Sequence, residues 1–205
     1  TTVSSEEEQT YAYLTSVNSD GFTWDTVDSS VGASSNTYVA WAWKANGGTT
    51  TTNDASSTGV GTIDSVYQAN TTAGFSIVDY TGTGSAGTIA HGLGAVPGWI
   101  IIKARTEPTG GVHFGSDQGN WIVYHQGVAS DPATDVLLLN EQNAVSDSTG
   151  HINDTAPTSS VFTINTNVDV NESSDTYVAY CFAEKQGYSK FGSYTGNGSQ
   201  NGAFV

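Results

Sequence analysis

Thr176-Tyr177-Val178-Ala179-Tyr180-Cys181-Phe182 alternates large and small side chains with a period of two. Thr37-Tyr38-Val39-Ala40-Trp41-Ala42-Trp43 repeats the pattern nearer the other end of the chain. Successive side chains of a strand point to opposite faces. Val178, Tyr180 and Phe182 therefore share one side, and Tyr177, Ala179 and Cys181 the other. Val39, Trp41 and Trp43 divide from Tyr38, Ala40 and Ala42 in the same way. Wound into a helix, either stretch would scatter its aromatics round the axis. Bulk on one face and smallness on the other predict a strand packed on both faces, one of them tightly.

Outward from these stretches the likeness continues. Phe22-Thr23-Trp24 stands before the first as Phe162-Thr163-Ile164 stands before the second. A second pair follows in the same order: Gly74-Phe75-Ser76 leading to Tyr80-Thr81-Gly82-Thr83-Gly84-Ser85, and Gly187-Tyr188-Ser189 leading to Tyr194-Thr195-Gly196-Asn197-Gly198-Ser199. Self-similarity in a fixed order is the mark of a repeat architecture. Residues 1–46 are expected to be the C-terminal part of a preceding β repeat, 47–72 a Gly/Thr/Ser-rich linker holding one short strand at 61–67, 73–186 a complete β-sandwich repeat, and 187–205 the start of a following one. The native polypeptide is expected to continue in both directions.

Further short apolar runs are bounded by turn residues: 75–80 (FSIVDY), 99–103 (WIIIK), 121–125 (WIVYH), 136–140 (VLLLN) and 161–165 (VFTIN). Strands at this spacing without a βαβ rhythm predict an all-β fold, read here as antiparallel β-sandwich domains in tandem repeat. Composition agrees. Of 205 residues 37% are hydrophobic and only 12% charged, so solubility rests on Thr, Ser, Asn and Gly. The 24 glycines follow no every-third-residue period, which excludes a collagen-like chain.

Five basic residues against 20 acidic ones leave a net charge of −15. Lys44, Lys103, Arg105, Lys185 and Lys190 cannot coat a phosphate backbone, so no nucleic-acid partner is expected. An anionic membrane surface is disfavoured for the same reason, and no apolar run is long enough to insert. Such an acidic surface suits salty water, where screening relieves self-repulsion.

The string from Thr71 to Arg105 (TTAGFSIVDYTGTGSAGTIAHGLGAVPGWIIIKAR), followed by WIVYH, APTSSVF and DTYVAYCFAEKQGYSKFGSYTGNG, resembles a domain repeated in large virion proteins of marine bacteriophages. There it often follows a laminin-G/concanavalin-like domain, in proteins regarded as tail fibres or other particle-surface components. The likeness covers almost the whole chain. It departs from the usual pattern in the acidic Glu6-Glu7-Glu8 and in a longer loop over 107–119. It implies an extracellular, virion-surface structural protein that self-associates as a homo-oligomer, contacts other virion proteins, and serves assembly or host attachment through a surface glycan. A glycan-binding module or a segment of a bacterial surface adhesin or filament is the alternative. The resemblance carries no catalytic residues.

Candidate sites are few. Cys181 sits where the repeat has Ala42, so the position needs smallness and not sulfur chemistry. His91 lies in Ala90-His91-Gly92-Leu93-Gly94, either as a ligand contact or as an imidazole bonding a glycine turn. Trp99, His113 and Phe114 are aromatic side chains able to stack on or border a sugar ring, and with His91 they form the glycan-contact set. No HxH or HExxH spacing supports a zinc site. Asp169, Asn171 and Asp175 fall short of an EF-hand loop and read as a polar hairpin turn between VFTIN and TYVAY; a looser calcium site on them is the alternative. Glu107, Asp117, Asp131, Asp135 and Glu141 are acids with no spacing that makes a pair converge. No GxSxG or phosphate-cradling loop occurs. No catalytic residue and no cofactor other than calcium is therefore assigned, and no enzyme is expected.

Overall fold

The computed structural model describes residues 14–24, 34–45, 49–105, 119–200 and 202. Two compact units divide the chain, one within Glu7–Trp43 and one built on Lys44–Val205. In the first, β1 (Leu14–Val17) and β2 (Phe22–Trp24) form an antiparallel hairpin with Val17 opposite Phe22. Its turn is closed by the Asn18 N–H donating to the Gly21 carbonyl at 2.7 Å. After it, 36–43 forms no strand.

The second unit opens with β3 (Thr51–Asn53), a helical turn α1 (Ala55–Thr58), β4 (Ser65–Asn70) and β5 (Phe75–Thr81). It continues with β6 (Gly87–Ala90), β7 (Trp99–Ala104), β8 (Ile122–His125), β9 (Asp135–Leu138), β10 (Ser146–Asp147) and α2 (Thr149–Ile152). β11 (Val161–Ile164), α3 (Val168–Asn171) and β12 (Thr176–Phe182) complete it. Eight strands form one antiparallel sheet in the order β10-β9-β8-β7-β12-β5-β4-β3.

The TYVAYCF segment is β12 and lies between β5 and β7, with Tyr177 opposite both Tyr80 and Ala104. Its alternation is the one expected: Tyr177, Ala179 and Cys181 are wholly buried against the core. That core gathers Val78 and Tyr80 of β5, Ile100 and Ile102 of β7, and Ile122 of β8. Over this face lie β6 and β11, paired antiparallel, with Ile89, Phe162 and Ile164 pointing inward. Ile152 of α2 and Val170 of α3 fill the rest. The fold is all-β around one large antiparallel sheet, and the layer opposite is a two-stranded ribbon with two helical turns.

Three expectations need correction. The stretch read as a linker, 47–72, holds β3, α1 and β4, and β4 pairs with β5 from Phe75 to Tyr80. Backbone hydrogen bonds to an open sheet edge order a chain that its polar side chains alone would leave loose. The VFTIN and TYVAY strands do not form a hairpin: β11 pairs with β6 and β12 with β5 and β7, and α3 lies between them. Lastly, 37–43 shares its pattern with β12 but is not a strand, since among the described residues it has no flanking β5 and β7.

The HGLG element makes a tight turn. Gly92 and Gly94 have φ of +69° and +65°, and a Cβ at Gly92 would collide with the ring of Tyr67. Gly92→Ala is therefore expected to lower stability by about 1–3 kcal/mol for the left-handed backbone, plus the cost of displacing Tyr67. Urea unfolding read by tryptophan fluorescence should show the midpoint falling at unchanged slope.

Candidate functional site

Two arrangements in the larger unit bring polar or aromatic groups together. The first is an aromatic shelf on the outer face of the sheet, where β5, β12 and β7 place Phe75, Phe182 and Trp99 side by side. Ring centroids lie 4.9 Å apart for Phe75–Phe182 and 4.8 Å for Phe182–Trp99, the latter stacked. Phe191, arriving from beyond β12, covers Trp99 at 5.9 Å and Phe182 at 6.3 Å. The Phe191 backbone is clamped: its N–H donates to Glu184 Oε1, and its carbonyl accepts from Gln126 Nε2. Gln126 Nε2 also donates to Glu184 Oε1 at 2.7 Å. The Phe191 N–H beside Glu184 holds that carboxyl below its ordinary value, with Gln126 and Lys190 adding to the effect.

The second arrangement is a buried polar knot between β8, α2 and α3. Asp169 accepts from the Asn120 backbone N–H at 3.0 Å and from Asn120 Nδ2 at 3.2 Å. Asn120 Oδ1 accepts in turn from Asn140 Nδ2. His151 stands beside them, with Nδ1 2.7 Å from Ser148 Oγ and Nε2 3.9 Å from Asp169 Oδ2. Ser148, His151 and Asp169 are thus brought together although no sequence string announced them. The 3.9 Å gap exceeds a hydrogen bond, and both Asp169 carboxylate oxygens accept from Asn120. The knot ties α2 and α3 to the head of β8. Only the separation of these residues in sequence hid it.

His91, placed in the glycan-contact set, is wholly buried and does not face solvent. Its Nε2–H donates to the Thr158 carbonyl at 3.1 Å, and Nδ1 accepts from the Leu93 N–H at 3.3 Å. The imidazole holds the glycine turn closed, which is the second of the two readings its sequence allowed. Trp99 is half-buried, with Phe182 stacked on it and Phe191 tilted against it. His113 and Phe114 lie outside the described residues.

The calcium candidates have separate tasks. Asp169 belongs to the knot, while Asn171 accepts from the Thr83 N–H and donates to the carbonyls of Ser85 and Asn165. Asp175 keeps one carboxylate oxygen buried without a hydrogen-bond partner. Among the described residues no three His, Cys, Asp or Glu side chains gather as a metal site. An open depression of about 250 Å³ lies over Asp64, Asp79 and Arg105. There the Arg105 guanidinium reaches Asp79 at 3.4 Å with both side chains half exposed, an arrangement of small energetic weight.

All of residues 1–205 match the family described as a domain of unknown function, DUF7483. The chain belongs to the DUF7483 family. No curated protein and no solved structure matches this DUF7483 chain.

Burial holds the His91 imidazole below its ordinary value of 6.5, against the opposing pull of the Thr158 carbonyl. The unfolded chain therefore takes up a proton before the folded one does. The stability this contributes is complete above pH 6.5 and is lost as pH falls below it. Thermal melts in that acidic window should show a smaller drop in Tm for His91→Gln than for the unsubstituted protein. Burial also raises the Cys181 thiol far above its ordinary value. A thiol reagent at pH 8 should leave it unmodified in the folded chain and label it fully in urea; fast labelling of the folded chain would contradict the packing described.

Proposed function

We propose that this chain is a structural component of a bacteriophage particle surface, a tail fibre or comparable appendage, built from tandem β-sandwich repeats. Its work is assembly, host attachment or both, outside the cell and as a homo-oligomer. The observation that carries the reading is the pairing of a repeat with surface aromatics. The motif that forms the central strand of one folded unit recurs at 37–43, where Trp41 is 76% and Val39 74% exposed. Exposed apolar side chains on an otherwise polar chain mark contact surfaces. The resemblance to virion proteins supplies the setting. Strongly acidic, threonine-rich surfaces keep such an appendage soluble at marine ionic strength and leave nucleic acid and membrane as poor partners.

A glycan-binding role is the second reading, favoured by the half-exposed Trp99 beside the polar side chains of Gln126 and Glu184. Aromatic faces with adjacent amide and carboxylate groups suit sugar rings. Against it stands Phe191, which fills the place over Trp99 that a ring would take.

Antibodies raised against the chain should label purified particles by immunogold electron microscopy, and particle digests should contain its peptides. Absence from particles would remove the structural reading. Binding on an array of bacterial surface glycans, lost in Trp99→Ala, would favour the second.

A further inference from the structure

We propose that the larger unit carries an ester-hydrolysing site for carboxylic esters with a short acyl chain, with Ser148 as the nucleophile and His151 as its general base. The inference goes beyond the structural role proposed above and does not depend on it. It starts from a serine that does not do what its position calls for. Ser148 is the N-cap of α2, where a serine hydroxyl ordinarily accepts a backbone N–H of the first turn. Here the side chain makes no capping bond. Its Oγ lies instead 2.7 Å from His151 Nδ1, and the residue is only half-buried.

The direction of that bond is set from the far side of the ring. His151 Nε2 is buried without a hydrogen-bond partner, and Asp169 Oδ2 stands 3.9 Å from it. A carboxylate there favours the ring proton on Nε2, which leaves a lone pair on Nδ1 for the Ser148 hydroxyl to donate to. The proton of the nucleophile already points at the base that takes it. Once Nδ1 holds that proton, the imidazolium faces a carboxylate fixed by the Asn120 backbone N–H and Nδ2. Asp169 is a positioning residue, and the 3.9 Å separation shortens as charge develops, since catalytic contacts that are long without substrate tighten around it.

Room for an acyl group lies beside the pair. A pocket of about 240 Å³ borders His151, walled by Val136, Leu138, Ala144 and Val145, with Asn143 and Ser146 as its polar lining. Ser148 stands two residues beyond Ser146 along extended chain, hence on the same side. Gly150 leaves the hydroxyl uncovered, since a Cβ there would already stand 3.9 Å from Oγ. Aliphatic walls suit an alkyl chain, and the small volume restricts it to a short one. The Asn143 amide is the donor for the oxygen that turns negative.

In the first step Ser148 Oγ bonds to the acyl carbon while its proton passes to Nδ1. The bond from that carbon to the alcohol oxygen breaks, and the alcohol leaves with the proton. Water then adds to the acyl-serine with His151 again taking and returning a proton, which frees the acid and restores Ser148.

The full chain is assayed with p-nitrophenyl butyrate, which should be turned over, and with the palmitate ester, which should not. Ser148→Ala and His151→Gln should each lower kcat by about a hundredfold or more. Asn143→Ala should lower it at least tenfold, and Asp169→Asn should lower kcat while KM stays the same. Diisopropyl fluorophosphate should bond to Ser148 Oγ with loss of fluoride, located by mass spectrometry of a digest, and should stop turnover; in urea the same serine should stay unlabelled. Where a substitution at the buried His151 or Asp169 prevents folding, Ser148→Ala and the label decide. No turnover above that in buffer, turnover retained in folded Ser148→Ala, or a label on another residue overturns the proposal. Its outcome is separate from particle labelling: a chain that hydrolyses the ester but is missing from particles overturns the structural reading alone.

Discussion

A strand made late in the chain has to enter the middle of a sheet whose neighbours were made early, and the rest of the larger unit depends on that insertion. β12 lies between β5 and β7 and bonds to both along nearly its whole length. Remove it and the sheet falls into two halves, β3–β4–β5 and β7–β8–β9–β10, each with a raw edge. Its inner face explains the residues found there. Tyr177, Ala179 and Cys181 have no solvent exposure, and the two small side chains let the covering ribbon approach. Cys181 serves as a compact apolar side chain, with its thiol held neutral by burial. Pairing between segments so far apart in sequence favours slow folding, since the loop must close before the contacts are gained.

Two stacked tyrosines carry this constraint to the covering layer. Tyr80 and Tyr177 lie nearly parallel, and each buried hydroxyl must find a partner. Tyr80 donates to the Val170 carbonyl, while Tyr177 donates to the Val168 carbonyl and accepts from the Glu172 N–H. Both rings thereby hold α3, a helical turn too short to be stable alone. Asn171, at the end of α3, then pins the glycine loop after β5 through Thr83 and Ser85. One strand placement thus helps to position a helical turn and a glycine loop, and Asp169 and Asn171 tie the same turn to Asn120 before β8 and to Asn165 after β11.

Much of this was legible in the residues. The apolar runs became strands within a residue or two, because alternation and turn residues are local signals. The smallness required at Cys181 followed from Ala42. The site was far less legible. His91 looked like a surface ligand candidate because a lone histidine among glycines says nothing of burial; the turn folds its ring inward, where Thr158 and Leu93 use both nitrogens. Ser148, His151 and Asp169 come together only because the Asn167 N–H at the start of α3 donates to the Gly150 carbonyl of α2, at 3.0 Å. Phe191 gave no sign that it would cover Trp99, since that contact joins a segment after β12 to the start of β7.

The sequence by itself determined the class of the fold, the positions of the strands formed by its apolar runs and the existence of a repeated pair of segments, because periodicity, turn chemistry and self-similarity are properties of the chain alone. Only the tertiary structure decided which copy of TYVA becomes a strand. A strand is stable when neighbours supply both its hydrogen bonds and its packing. β5 and β7 supply them to 176–182, and the same alternation at 37–43 forms no strand, with Trp41 exposed. The same reason recruits 49–70, whose composition reads as linker: the open edge of β5 offered hydrogen bonds, and β4 took them.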